Sequence, residues 1–555
     1  MPADLLLNVS QLGVSLGTQG FTLRDISFQV ARPEIVAIIG PSGAGKSTLL
    51  KTLCGLVTPE SGRVECHGTA VDPEDRRSLE IVRRRIGFVW QESSLVGRLS
   101  VAANVMTGRL GLRNRFLEFL GLAHPEDKRR ALRALERVRL GAFYDRRLDQ
   151  LSGGEKQRVG IARAFFAQPE IVLADEPVAS LDPLLATEVL EDLSRLARED
   201  MKVVLVTLHQ LDLARRFADR IIGMSQGSIV FDGPSSELTD ALAAQIYARE
   251  PVVETITAVP STGAIASSTD DRPSRSENSS RVQSDKLGWW PRITWQHGLV
   301  GFVLLVIYFS SIQTTNMNPA ELAKGTPHLL SFVGRLFPPV WDTQTLTLWG
   351  TGLGIPYPVL VVTLWETLQM AILGTTIGAV FSLPLALLAA RNVSPHPLVY
   401  SVIRFLLNAN RAIPDIVFAL IMVAALGLGP FAGTLAIALA SVGSLSKVFA
   451  EVVESVDPQP VTAVKVTGAS PLFSFRYALL PQALPVMASY AILYFESNLR
   501  TATILGLVGA GGIGYMIHQY YNMFQYQKLM GAILLIIVTV SLLDRLSDSI
   551  RRRLL

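Results

Sequence analysis

At 555 residues the chain exceeds what one hydrophobic core organises, so a single-domain protein is excluded. It is 49% hydrophobic and only 18% charged, against about 25% charged in ordinary soluble proteins, which excludes a uniformly soluble chain. The formal net charge of +4 is too small to point to nucleic acid, and none is expected as a partner.

The charge deficit is uneven. Residues 1–250 are rich in Arg, Asp, Glu and Lys, whereas 298–544 hold long stretches with almost none, so the two halves are built for different solvents. Cys54 and Cys66 are too few for a disulfide framework and lack metal-ligand spacing, as expected of a reduced, cytoplasmic domain. Met1-Pro2-Ala3-Asp4 lacks the basic region and apolar core of a secretory signal.

The first half alternates short β-branched runs with helical patterns. Ile35–Ile39, Ile86–Val89, Ile171–Ala174 and Val203–Thr207 read as buried strands of a mostly parallel sheet, with Ser47–Leu56 and Pro183–Arg198 among the helices between them. The pattern predicts an α/β domain over 1–245. Directly after the first strand, Gly40-Pro41-Ser42-Gly43-Ala44-Gly45-Lys46-Ser47 fits the P-loop pattern and runs through Thr48 into a helix. Its glycines let backbone amides close around phosphate oxygens, and the helix N-terminus favours the anion. ATP with Mg²⁺ is the expected ligand, Lys46 reaching the β- and γ-phosphates and Ser47 the metal.

Two later segments bear on the same chemistry. Leu151-Ser152-Gly153-Gly154-Glu155 is a capping box with two exposed glycines, which by itself is an ordinary helix start. Ile171–Ala174 ends in Asp175 and Glu176. Many strands end in a solvated acid, but beside a P-loop Asp175 suits the Mg²⁺ shell and Glu176 a base or water-positioning group.

The order of P-loop, Leu-Ser-Gly-Gly-Glu and Asp-Glu resembles the ATPase domains of ABC transporters over residues 5–240. That resemblance implies an α/β P-loop domain of the ABC type, whose Ser152-Gly153-Gly154 meets the nucleotide of a second copy. It implies that Gln91 links the Mg²⁺ site to the membrane domain, that Ser180-Leu181-Asp182 contacts the dimer partner, and that His209 senses the γ-phosphate. Where the family stacks an aromatic on adenine this chain has Leu16, with Phe21 a possible substitute.

Residues 246–292 read as a flexible linker, because 251–290 holds too few large apolar groups to offset its ordering entropy. From 293 to 555 the chain reads as an all-α transmembrane domain of about six helices, near 295–314, 364–389, 402–428, 431–451, 483–506 and 527–544. The third is interrupted by Arg404, Arg411, Pro414 and Asp415. An even count and the basic flanks at Arg391, Lys447, Lys465, Arg476 and Arg551–Arg553 predict a multi-pass inner-membrane protein with both termini and the ATPase cytoplasmic. Gly509–Gly514 satisfies a dinucleotide fingerprint literally, but it follows a membrane helix rather than a strand. A flexible turn or a close helix approach is expected there.

Gly468, followed after nine residues by Ala478-Leu479-Leu480-Pro481, resembles the coupling segment of importer permeases of the type I class, and Thr462-Ala463-Val464 stands where that segment is usually Glu-Ala-Ala. Arg411–Asp415, Gly427–Gly433 and Leu505–Gly514 resemble phosphonate importer permeases, and Leu95–Ser100 with Asn104–Leu110 is similar to their ATPase subunits. The resemblance implies an importer of phosphonate, phosphite or a related anion, fed by an external solute-binding protein. Arg404, Arg411 and Arg500 could ease an anion through, but Arg411 with Asp415, and Glu496 with Arg500, sit four apart and could neutralise each other. One P-loop and one signature per chain make a homodimer the simplest complete machine. An importer of another small solute such as methionine, and a non-transporting membrane ATPase driving an envelope partner, are the alternatives.

Overall fold

The computed structural model describes residues 5–15, 21–91, 94–110, 124–179, 181–247, 295–315, 319–341, 343–347 and 354–554. From residue 248 onward the expected linker lies outside the described residues.

Among the described residues the front half is built on ten strands: β1 (Leu7–Ser15), β2 (Phe21–Val30), β3 (Ile35–Ile39), β4 (Ser61–Cys66), β5 (Thr69–Ala70), β6 (Ile86–Val89), β7 (Ile171–Ala174), β8 (Val203–Leu208), β9 (Arg220–Ser225) and β10 (Ser228–Pro234). Six form a sheet in the order β10-β9-β3-β8-β7-β6. It is parallel except where β9 meets β10. The other four form an antiparallel sheet, β2-β1-β4-β5. Successive side chains of a strand point to opposite faces, and β3 shows what each face buries. Ile35, Ala37 and Ile39 pack with residues of the helices Pro125–Arg137, Gly153–Phe166 and Pro183–Glu199. Val36 and Ile38 pack with the antiparallel sheet and the helix Lys46–Leu53. β3 thus lies near the middle of the parallel sheet with both faces covered, and the loop that leaves it is anchored from both sides.

In the back half, four helices among the described residues are long and apolar enough to cross a membrane: Val359–Ala389, Pro430–Glu454, Pro471–Gly506 and Tyr526–Leu554. Gly298–Thr314 is a shorter apolar helix. The segment expected as one span over 402–428 is instead two helices, Pro397–Ala412 and Asp415–Leu426, bent by 86°. The cause is local. Pro414 disfavours the helical region for its predecessor, and Ile413 is extended at φ −85°, ψ 122°.

The helices are tied by polar contacts as well as by packing. Asn498 Nδ2 donates to Thr375 Oγ1 and Ser441 Oγ, each at 2.8 Å, joining three helices at one buried point. Arg404 Nη2 donates to both oxygens of Glu454 at 3.0 Å, and Glu454 also accepts the backbone N–H of Arg391. At Gly509–Gly514 the close approach is realised: a Cβ on Gly514 would lie 1.9 Å from the carbonyl oxygen of Thr503.

The two halves meet at the helix Pro458–Val466, four residues beyond Glu454. Val464, Phe473 and Ala478 pack against Val96 and Leu110 of the front half, Val466 joins the core beneath the sheet, and the side chains of Ser94 and Gln459 lie 3.4 Å apart. The last helix also returns to the front half, where Arg98 Nη1 donates to the carbonyl of Leu554 at 2.7 Å.

Candidate nucleotide site

The loop after β3 is shaped by its glycines. Gly40, Gly43 and Gly45 all have positive φ, and at two of them side chains are also excluded by contact. A Cβ on Gly40 would lie 2.1 Å from the Met224 carbonyl oxygen, and one on Gly45 2.6 Å from Leu23 Cδ2. The helix Lys46–Leu53 begins directly after this loop, one residue before the expected Ser47. Lys46 is buried and curls back over the loop, donating to the carbonyls of Gly40 at 2.8 Å and Pro41 at 3.1 Å. Burial holds its ammonium below the usual lysine range, with Glu176 and Asp175 pulling the other way. Ser42 and Gly43 are exposed, and a Cβ on Gly43 would meet nothing within 4 Å, so the mouth of the loop is open. Thr48 lies in the first helical turn and its carbonyl is held by Thr52.

Parallel pairing of β3, β8 and β7 brings the ends of these strands to one edge of the sheet. Ser47 Oγ donates to Asp175 Oδ1 at 2.8 Å. Glu176 accepts from Gln91 Nε2 at 2.8 Å on one oxygen and meets His209 Nε2 at 2.5 Å on the other. Its backbone is in the left-handed region, φ 44°, a costly conformation for a non-glycine residue. Five separately predicted residues, Ser47, Gln91, Asp175, Glu176 and His209, thus form two adjoining hydrogen-bonded groups. The hydroxyl of Ser47 and the carboxylate of Asp175 are a hard-oxygen pair of the kind Mg²⁺ takes, and the Gln91 amide offers a third oxygen.

Two residues of this constellation escaped the sequence reading. Thr207 Oγ1 accepts the backbone N–H of Glu176 at 2.7 Å and lies 3.1 Å from Asp175 Oδ1. A threonine ending an apolar strand carries no signal unless the neighbouring strand is known to end in the acids. Gln157 is buried and its Nε2 donates to the carbonyl of Trp90, tying the signature helix to the segment before Gln91.

The remaining predicted residues stand apart. Ser152 caps Gly153–Phe166 in the expected box with Glu155, and its N–H and hydroxyl hold the Glu155 carboxyl below the usual range. Asp182 accepts from the N–H groups of Leu184 and Leu185 at 3.1 Å. Among the described residues no hydrogen bond joins Ser152, Gly153, Gly154 or Asp182 to the Asp175–Glu176 group. Of the adenine candidates, Leu16 lies outside the described residues, as does Ser180, and Phe21 is described only as the first residue of β2.

Comparison with known proteins agrees with both halves. Residues 23–179 match the ABC transporter family, and residues 382–555 match the binding-protein-dependent transport system inner membrane component family. A phosphonates import ATP-binding protein of Haloarcula marismortui is 45% identical over 242 residues, covering 44% of this chain and 89% of that protein. Its counterpart from Lactiplantibacillus plantarum is 41% identical over 246 residues, covering 44% of this chain and 96% of that protein. Among solved structures, the cbiO1 component of a Clostridium perfringens ABC transporter complex aligns with a TM-score of 0.39 at 27% identity, over 44% of this chain and 92% of that one.

Proposed function

This chain belongs to the ABC transporter family as an importer with ATPase and permease fused, and from that premise we propose that it imports phosphonate or a related phosphorus oxyanion as a homodimer. ATP binds the front half and its hydrolysis drives transport. The cargo assignment is supported by the phosphonates import proteins that resemble the front half at 41–45% identity, together with the permease motifs Arg411–Asp415, Gly427–Gly433 and Leu505–Gly514. An external solute-binding protein delivers the anion, the membrane is the bacterial inner membrane, and the ATPase and both termini are cytoplasmic.

In the proposed division of labour, 1–245 is the ATPase, 246–292 the tether and 293–555 the permease. Gly40–Thr48 cradles the phosphates, and Lys46 leaves its two carbonyls to meet them. Ser47, Asp175 and Gln91 would hold Mg²⁺, which when bound would supply charge neutralisation to the phosphates. Glu176 is the base or water-positioning group, with His209 and Gln91 fixing its two oxygens. Ser152, Gly153, Gly154 and Asp182 serve the nucleotide of the second copy, which is why they stand apart from this chain's own acids.

The observation that carries the reading is the seating of Pro458–Val466 on the front half, with Gln459 against Ser94, three residues from Gln91. A helix of the membrane half therefore rests on the segment that a nucleotide-dependent shift of Gln91 would move. Glu176→Gln tests the mechanism. The variant should retain ATP, lose hydrolysis by about a hundredfold or more, and abolish uptake. Cells that import at the normal rate with this variant would refute it. A wild-type uptake panel of phosphonates, phosphite, phosphate and methionine tests the cargo.

A further inference from the structure

The membrane half solves the charge problem of its arginines unequally. Leaving aside Arg476 beside the ATPase, Lys528 in the first turn of the terminal helix and Arg545–Arg553 in its last three turns, the apolar helices hold four cations among the described residues: Arg404, Arg411, Lys447 and Arg500. Arg404 is paired with Glu454, its Nη2 donating to both carboxylate oxygens, and Arg500 is paired with Glu496 at 2.7 Å. Lys447 is half-buried, two turns from Glu454 at the ATPase side. Arg411 is exposed and has neither an ion pair nor a hydrogen bond with any described residue.

The break at Ile413-Pro414 is what isolates it. In a continuous helix Asp415 would sit one turn above Arg411 and neutralise it. The 86° bend carries Asp415 onto another helix, where it is hydrogen-bonded with Thr501. Arg411 is also deep. Pro397–Ala412 starts on the ATPase side, next to the Arg391–Glu454 contact, and Arg411 lies 14 residues along it, about 21 Å at 1.5 Å per residue, within a hydrocarbon core about 30 Å thick. Its neighbour Asn410 fixes the rotation of the helix. Asn410 Nδ2 donates to the carbonyl of Leu439 at 3.2 Å, and Gly443 lies so close that a Cβ would come 1.9 Å from Asn410 Oδ1. One residue on, Arg411 is turned about 100° from that contact. An unpaired guanidinium at this depth cannot be left facing lipid without heavy cost, so it faces either a hydrated path or the second copy.

We propose that Arg411 is the residue of the permease that binds the anionic group of the cargo in transit, its planar fork donating two N–H bonds to two oxygens of a phosphonate. Arg404, whose charge is met by Glu454, ties its helix to Pro430–Glu454, and the charge of Arg500 is met by Glu496 on its own helix. The proposal rests on the phosphorus-oxyanion reading above and assigns one binding residue to it.

The test replaces the chromosomal gene in the source organism, so that the native binding protein is present, with R411Q, R411K or the distant control R545Q. Uptake of radiolabelled methylphosphonate is measured alongside the membrane abundance and assembly size of the protein. At equal abundance and size, R411Q should lower uptake about tenfold or more, the effect of losing a charge-assisted hydrogen bond. R411K, which keeps stem and charge but not the fork, should fall several-fold, and R545Q should match wild type. R411Q uptake within about twofold of wild type overturns the role of Arg411 and leaves the cargo reading standing. Dissociation of the R411Q assembly, with R411K restoring both assembly and full uptake, overturns it too and makes Arg411 a contact between copies. Wild-type cells that take up no phosphonate, phosphite or phosphate overturn the cargo reading and this proposal together.

Discussion

Thr207 accepts the backbone N–H of Glu176 at 2.7 Å while lying 3.1 Å from the carboxylate of Asp175. One hydroxyl on β8 therefore touches both acids at the end of β7, and it steadies a residue whose backbone sits at φ 44°. The acids are positioned by the adjacent strand as much as by their own.

Replacing Thr207 by Val keeps the shape and removes the acceptor. The N–H of Glu176 is then left without its partner, at a cost of about 1–3 kcal/mol, and the carboxylate loses its fixed origin. ATPase assays on the reconstituted protein should show kcat reduced by about tenfold or more with the KM for ATP nearly unchanged. Thr207→Ser, which restores the oxygen, should recover most of the rate. If Val turned over ATP as fast as Thr, the hydroxyl would have no role in catalysis.

Gly468 is the second test point. It follows the Pro458–Val466 helix at φ +79°, with the nearest atoms, Glu80 O and Arg83 Cβ, 3.9 and 4.0 Å from where its Cβ would be. Space is available, so the penalty for a side chain is conformational, about 1–2 kcal/mol for a residue forced left-handed and more for a β-branched one. Gly468→Ala should therefore be mild. Gly468→Val should tilt the helix out of its seat, so that ATP hydrolysis continues while solute uptake falls, read as solute moved per ATP consumed. Equal ratios in Val and wild type would show that the turn does not matter to coupling.

The parts of this molecule that were legible in advance are those fixed by local chemistry. β3, β6 and β7 fall on the predicted residues because each is a continuous apolar run closed by glycine or charge, and the P-loop needs no partner to be recognised. β1 and β2 were missed, since register shifts near Val9, Leu12 and Val14 break the alternation that marks a half-buried strand. Thr207 and Gln157 were missed for a different reason: their roles exist only across strands and segments far apart in sequence. The pairing of Arg411 with Asp415 was offered by a spacing that holds only in an unbroken helix, and Pro414 removes that condition.

Asn498 ties together Val359–Ala389, Pro430–Glu454 and Leu480–Gly506 through Thr375 and Ser441. All three side chains are buried, so Asn498→Leu removes two interhelical hydrogen bonds in one step. Interhelical bonds of this kind contribute about 0.6 kcal/mol each, reaching about 1.7, because freed hydroxyls find carbonyls on their own helices. Thermal unfolding of the purified protein in nanodiscs should show a lower midpoint for the membrane half, with ATP affinity of the front half unchanged. A midpoint equal to wild type would mean that the node contributes nothing to the helix assembly.

The two thiols provide a check on how the front half is packed. Cys54 and Cys66 are fully buried, and burial pushes the Cys54 thiol up to about 12 and the Cys66 thiol up to about 11. The thiolate is the reactive form. At pH 8 the thiolate fraction of Cys54 is about 10⁻⁴, so a maleimide should label neither residue in the folded protein and both after denaturation. The same shifts set a pH dependence. Both folded values lie above the ordinary thiol range near about 8.5, so below that pH the thiols are neutral in both states and their burial costs no ionisation. As pH rises beyond it, the unfolded chain ionises first, and stability of the front half declines through the window from about 8.5 to about 11 and 12. Substituting both residues by Ala should lower stability at pH 7 through lost packing but flatten that alkaline decline. A decline of the same steepness in the double variant would assign it to other groups.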